Sequence, residues 1–364
     1  MPAALIPAAG LSSRMGRYKP LLPLGRTTMI ETVIDLFKAA GIREIIVVTG
    51  HNHDQLAGTV EAAGARPLFN ADYASGMFSS IRNGVATLSS GIEGFFLLPA
   101  DIPAIRPATL NFIRRKFEAA KDSLIVPAFN GQTGHPPLIP ARLIPVITGA
   151  DPDANLRRIL FSDPSRIIQL PVHDRGILMD ADTPEGYEQI KQKYERLEIP
   201  DEAECRSIID RELPDAPAIR AHLHQVCDTA LTLAGALHSC GLAFDTDIIR
   251  AGALLHDIKR KEAHHAEAGS RFLQELGFQK IADVTAVHMD LTPGPELDET
   301  QIVFFADKLC RGDQLELDYS GRFHEKARCL PHAEKEIFKR LETAQHIHAR
   351  IESAVGRFLR EILG

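Results

Sequence analysis

Five cysteines occur in this 364-residue chain, and none belongs to a C-x-x-C pair. Cys205, Cys227, Cys240, Cys310 and Cys329 are odd in number and read as reduced thiols, not as a disulfide framework. No signal-peptide pattern and no apolar run long enough to cross a bilayer appears in these residues. A cytoplasmic protein without a membrane partner is the expectation. A basic surplus is also missing. Residues 1–195 hold 20 Lys or Arg against 19 Asp or Glu, and residues 196–364 hold 21 against 29. Neither part has the cationic excess of a nucleic-acid binder, whereas the acidic, histidine-rich second part suits metal ions. No repeat or low-complexity segment is visible. What remains is a globular composition, 45 % hydrophobic and 24 % charged, on a chain too long for one ordinary core. Two domains are expected, 1–197 and 203–364, with the acidic D-E-A-E after Pro200 at the junction.

The stretch P-A-A-G-L-S-S-R-M-G-R-Y-K-P-L-L-P-L-G, Pro7 to Gly25, is the most informative. It follows Ala3 to Ile6, an apolar run that reads as a short buried strand. A turn at the carboxyl end of a strand exposes consecutive backbone N–H groups, here from Ala8, Ala9, Gly10, Leu11, Ser12 and Ser13. Gly10 lets that backbone approach a ligand closely. Arg14 and Lys19 add two cations where a polyphosphate would lie. No G-K-[ST] closes the loop and no G-x-G-x-x-G is present, so it is neither of those two phosphate-binding motifs.

Downstream, strand and helix patterns alternate: a helix from Thr28 to Ala40, a strand from Ile45 to Val48 and a helix from His53 to Ala63. That rhythm predicts an α/β, Rossmann-like domain with a mostly parallel sheet, whose ligands bind beyond the carboxyl ends of the strands. N-A-D-Y-A-S-G-M-F-S-S-I-R-N-G, which contains Ser79 and Ser80, leads into a helix near Gly76, and a helix start itself favours a nucleotide; a capped helix with core Met77, Phe78 and Ile81 is the plainer reading. The strand Gly94 to Leu98 ends in P-A-D-I-P, which puts Asp101 at the sheet edge, facing the cationic loop, as Mg²⁺ shared with phosphate requires. G-H-P-P follows the strand Leu124 to Phe129 and offers His135, either as a ligand contact or as a turn residue. In G-I-L-M-D-A-D-T-P-E, Asp180 and Asp182 would share one face of a strand. Asp182, with or without Asp180, would complete an Mg²⁺ site opposite Asp101, or else simply precede an N-capping Thr183.

Beyond the junction nearly everything has helical period. His222 lies in line with Val226, Ala230, Leu233 and Leu237. His256-Asp257 ends the buried run A-G-A-L-L-H-D-I, His288 sits on an apolar stripe, and Asp307 interrupts an apolar helix from Ile302 to Leu309. Ionisable groups facing inward are costly unless paired or metal-bound, and one shared metal would relieve all of them.

A-A-G-L-S-S-R-M-G followed by K-P-L-L-P resembles the signature of the molybdenum cofactor nucleotidyltransferases, over roughly the first 195 residues. The cytidylyl-transferring members are the more similar, since guanylyl-transferring ones usually carry a second glycine where Ala9 stands. The resemblance implies Mg²⁺-dependent transfer of CMP from CTP to a molybdopterin-type acceptor with loss of pyrophosphate, and a molybdoenzyme or its maturation chaperone as a partner. It also sets the Gly76–Ser80 loop against base and ribose and His135 on the acceptor side. Another nucleotide, or a sugar phosphate acceptor, stays open.

The order H…H-D…H…H…D over about residues 205–320 resembles the H-D phosphohydrolase superfamily, an all-helical metal-dependent fold. His222, His256, Asp257, His288 and Asp307 match its ligand positions, and His265 does so through H-A-E-A-G. Met289 follows His288 where two-metal members often have a second histidine. Lys259 and Arg260 stand where a phosphate-contacting cation is placed. The resemblance implies phosphate-ester hydrolysis with a divalent transition metal such as Mn, Fe, Ni or Co, since imidazole supplies most ligands; a nucleotide-sensing module without hydrolysis is the other reading. The helices after Ala333 read as packing elements with solvated faces.

Overall fold

In the computed structural model, which describes residues 1–10 and 15–364, the apolar run Ala3–Pro7 is strand β1, buried along its length. The chain divides into two units, Met1–Leu197 and Glu198–Gly364. A small antiparallel pair, β2 (Pro23–Leu24) and β3 (Thr27–Thr28), leads into helix α1 (Met29–Ala39). Thr28 caps α1 in a reciprocal capping box with Glu31, and the helix buries Met29, Val33, Leu36 and Phe37. Strand β4 (Ile45–Thr49), helix α2 (His53–Ala62), strand β5 (Arg66–Phe69), helix α3 (Met77–Ala86) and strand β6 (Gly94–Leu97) follow. Next come α4 (Pro107–Glu118), β7 (Leu124–Phe129), β8 (Gln132–Thr133), β9 (Leu138–Pro140), α5 (Ile144–Thr148), α6 (Leu156–Leu160), β10 (Ile167–Pro171) and α7 (Pro184–Glu195).

The sheet order is β10-β7-β9-β6-β1-β4-β5, with β8 paired to β7. β1 lies parallel to β4 and to β6, with Leu5 opposite both Ile46 and Leu97. The sheet is mixed, because β9 runs antiparallel between β6 and β7. The carboxyl ends of β1, β4 and β6 therefore open on one edge. Helix α3 lies so close to the sheet that a Cβ on Gly84 would come within 2.3 Å of Leu5 Cδ1. A buried ion pair ties the segment after β6 to the segment after β10. Arg106 Nη1 lies 2.9 Å from Asp174 Oδ1, while Asp174 also accepts from the Arg106 and Gly176 N–H groups and the Thr109 hydroxyl. Arg106 Nε donates to the Leu197 carbonyl at 2.7 Å.

Asp180 and Asp182 do not lie in a strand. They follow a single helical turn, Arg175–Leu178, and Asp180 Oδ1 accepts the Asp182 N–H at 3.2 Å. Thr183 caps α7 at the Gly186 N–H, as its position before Pro184 suggested.

The second unit is built from α8 (Glu202–Glu212), α9 (Pro217–Ser239), α10 (Thr246–Leu255), α11 (His265–Glu275), α12 (Gln279–Val287) and α13 (Glu299–Leu309). After a two-residue hairpin, β11 (Cys310–Arg311) with β12 (Gln314–Leu315), come α14 (Tyr319–Cys329), α15 (Glu334–Val355) and α16 (Leu359–Leu363). The hairpin is the one departure from the all-helical expectation among the described residues. The core is assembled from α9, α10, α12, α13 and α15, through residues such as Leu233, Leu255, Ile281, Phe305 and Ile347.

Candidate active sites

A cleft of about 370 Å³ lies at the carboxyl edge of the sheet. Ala8, Ala9 and Gly10 form its floor beyond β1, Asp101 borders it beyond β6, and Gly76 and Ser80 enter from the start of α3. Among the described residues nothing stands within 4 Å of where a Gly10 Cβ would be. Lys19 reaches into the cleft and binds two carboxylates, Asp182 Oδ1 at 2.6 Å and Asp101 Oδ2 at 3.1 Å. Burial alone would lower the Lys19 pKa, but the hydrogen bonds and charges of Asp182 and Asp101 raise it above the ordinary lysine value. The two carboxylates expected to hold Mg²⁺ thus do converge, around an ammonium group. A pair of hard oxygen donors already gathered about a cation fits a divalent ion shared with phosphate.

Other predicted residues take different places. Ser79 is spent on local structure, donating to the Asp72 and Gly76 carbonyls and accepting from Asn70 Nδ2, while Ser80 accepts from the same amide. Asp180 serves its turn and is not among the residues that Lys19 is seen to bind. His135 lies outside the cleft lining, with a buried Nδ1 that has no partner among the described residues. Leu11, Ser12, Ser13 and Arg14 lie outside the described residues.

In the second unit six side chains from five helices and their ends, α9 to α13, converge. The ligand atoms of His222, His256 and Asp307 lie within 4.8 Å of one another, as do those of Asp257, His265 and His288. Asp257 faces both trios. Its Oδ2 is 3.6 Å from His256 Nε2 and 3.8 Å from His222 Nε2, and its Oδ1 is 3.3 Å from both His265 Nε2 and His288 Nε2. Three of the imidazoles are oriented by backbone carbonyls, with Nδ1 of His222, His256 and His288 against the oxygens of Gly312, Ala253 and Thr285. Donation there leaves each Nε2 as a lone pair aimed at the centre, the arrangement a metal-binding imidazole needs. His256 Nε2 and Asp257 Oδ1 are buried without a hydrogen-bond partner among the described residues, which a cation between the donors would satisfy. Burial pushes Asp257 up, yet His256, His265 and His288 hold it far below the usual carboxylate range.

Residues 4–167 match the MobA-like NTP transferase domain family, and residues 219–312 match the HD domain family. This chain joins those two domains. Molybdenum cofactor cytidylyltransferase of Escherichia coli (strain K12) is 29 % identical over 194 residues, which cover 53 % of this chain and 97 % of that protein. Nicotine blue oxidoreductase of Paenarthrobacter nicotinovorans is 29 % identical over 186 residues, 49 % of this chain and 90 % of that protein. A solved structure, a nucleotidyl transferase from Methanothermobacter thermautotroptrophicus, matches with a TM-score of 0.48 and 26 % identity over 54 % of this chain and 98 % of that one. The HD domain fits a divalent metal through both its family and its donor trios.

A second cleft, about 400 Å³, opens over the HD cluster and is lined by His222, Asp307 and several cations. Arg260 lines it and pairs with Asp257. Lys259 turns elsewhere, to Glu212 at 2.8 Å and over the Phe272 ring, because the acidic end of α8 supplies a nearer partner. Lys308, Arg322, Lys326 and Arg340 also line this cleft and were not singled out from sequence. Arg340 comes from α15, read from its pattern as a packing element with a solvated face. The only available signal was a run of cations on α14 and α15, which any solvated helix face shows as well.

Proposed function

We propose that the MobA-like domain transfers CMP from CTP to a molybdopterin-type acceptor, with Mg²⁺ and with release of pyrophosphate. The observation that carries this reading is Lys19 gathered with Asp101 and Asp182 beside the exposed backbone of Ala8 to Gly10. Asp101 and Asp182 would hold Mg²⁺, which when bound supplies charge neutralisation on the phosphates. The Ala8–Gly10 backbone and the start of α3 seat the nucleotide. Lys19 and Arg14 offset the charge that grows on the departing pyrophosphate, so that catalysis is positioning plus electrostatics. His135 borders the acceptor side. The likeness to the Escherichia coli cytidylyltransferase over nearly its whole length supports the acceptor.

The HD domain, in the same reading, hydrolyses a phosphate ester. His222, His256, Asp257, His265, His288 and Asp307 would hold a divalent transition metal, which when bound supplies an activated water. Arg260 meets the phosphate. The test is pyrophosphate release from CTP, GTP, ATP and UTP with and without molybdopterin. Release from CTP that needs both Mg²⁺ and the pterin supports the reading, and better use of GTP overturns the cytidylyl assignment.

A further inference from the structure

The residues from 196 onward are acidic on balance, 29 Asp or Glu against 21 Lys or Arg, yet the cleft over the HD cluster is lined by six cations. They are Arg260, Lys308, Arg311, Arg322, Lys326 and Arg340, and Asp307 is the one carboxylate in that lining among the described residues. Three of the six have acidic partners. Arg260 pairs with Asp257, Lys308 with Asp307 at 2.5 Å, and Arg340 with both oxygens of Asp290 at 2.7 and 2.9 Å. The other three are not neutralised in that way. Arg322 is aimed by the carbonyls of Lys308 and Cys310, at 2.5 and 2.7 Å, which position its cation without cancelling it, and Glu316 stands back at 3.9 Å. Arg311 and Lys326 have no acidic partner among the described residues. Partial desolvation, followed by the charges of Arg340, Lys308, Arg260 and Arg322, lowers the Lys326 pKa although the residue is exposed.

On the phosphohydrolase reading, Arg260 and Lys308 would serve one phosphate at the donor cluster. Three further cations grouped on β11 and α14 exceed what that phosphate needs, and the carbonyls that hold Arg322 belong to the residues at 308 and 310, immediately past Asp307. Ile219, Met289 and Phe323 give the same cleft apolar walls, suited to the organic part of a ligand.

We infer that the HD cleft takes an organic molecule bearing two or more phosphates, one at the donor cluster and the rest against Arg311, Arg322 and Lys326. This rests on the phosphohydrolase reading of the same site. A charge-assisted phosphate contact is strong and planar at arginine, which explains why Arg322 is pre-aimed.

The experiment uses the full chain, carrying Lys19→Ala throughout so that the other cleft's hold on phosphates is weakened equally, and titrates AMP, ATP and tripolyphosphate by calorimetry. ATP should bind more tightly than AMP. Arg311→Gln with Lys326→Gln, both at exposed positions, should weaken ATP roughly tenfold per lost charged contact and leave AMP within about twofold. Equal losses for AMP and ATP, or no loss for either, would overturn the further phosphate pocket. Tripolyphosphate bound better than ATP would overturn the organic part of the ligand. Calorimetry reads binding alone; the phosphohydrolase reading is judged by a separate assay of phosphate release from ATP with added Mn²⁺, and binding without release would sink that reading and leave this one standing.

Discussion

Lys19 Nζ lies 2.6 Å from Asp182 Oδ1, across 163 residues of sequence. The contact joins the loop after β1 to the approach of α7 and gathers the charge of the first cleft at one point, with Asp101 as the third member. The single ammonium offsets part of the charge of the two carboxylates; on the proposed reading, Asp101 and Asp182 would hold a divalent ion and Lys19 would then serve the phosphates.

Replacing Lys19 therefore has two consequences. Lys19→Ala should lower kcat on the order of a hundredfold, as the loss of a charge-stabilising donor does elsewhere. It should also tighten the apparent Mg²⁺ affinity, because Asp101 and Asp182 lose their competing cation. A Mg²⁺ titration with unchanged half-saturation would show that Lys19 and the ion do not share those oxygens.

Acid should weaken the first domain through His135. Burial holds its imidazole below the ordinary histidine value, against the pull of the Leu97 backbone, Asp101 and Asp180. The unfolded chain takes up a proton near pH 6.5 that the folded chain refuses, so stability is unaffected by this group at higher pH. The loss accrues from about pH 6.5 down to the lowered folded value. Melting temperature against pH should show a flatter acid limb in His135→Gln, and superimposable acid limbs would remove His135 as a cause.

Much of this was legible locally. Ala8 to Gly10, Asp101 and the His256-Asp257 pair sit at ends of short apolar runs, and an apolar run followed by Gly, Pro or a charge marks where a buried strand or helix reaches the surface. Convergence of His222, His256, His288 and Asp307 was legible too, because a polar residue on an apolar stripe has to face inward. What was not legible depended on distance in sequence or on local turns. Nothing near Lys19 announces Asp182, and the two-residue spacing of Asp180 and Asp182 suggested a strand where an Asx-type turn forms instead. The cleft cations Arg322, Lys326 and Arg340 were hidden because they occupy the polar faces of α14 and α15, where cations are ordinary.

The buried Arg106–Asp174 pair makes a separate demand on stability. Asp174→Ala removes a buried carboxylate from the Arg106 guanidinium, and breaking a buried ion pair costs about 3–5 kcal/mol in comparable sites. Urea unfolding followed by a probe in the first domain should register that loss. A change under about 1 kcal/mol would mean the site relaxes to admit water.

In the HD domain Asp257 faces both donor trios, so Asp257→Ala should cost more metal than His265→Ala, which touches one. Protein purified without chelators should contain Mn, Fe, Ni or Co in preference to Mg. Chelation should lower the melting temperature, since a ligand held only by the folded state stabilises it. Elemental analysis finding no transition metal, with melting unchanged by added Mn²⁺, would contradict the reading of the six residues as ligands.

The most direct measurement is the mass of what forms when the full chain is given CTP, Mg²⁺ and molybdopterin. A pterin product heavier by one CMP unit should appear in step with pyrophosphate, and Asp101→Ala should lose both together. CMP released free with the pterin unchanged, or no product from the wild-type chain under any divalent ion, would contradict nucleotidyl transfer to that acceptor.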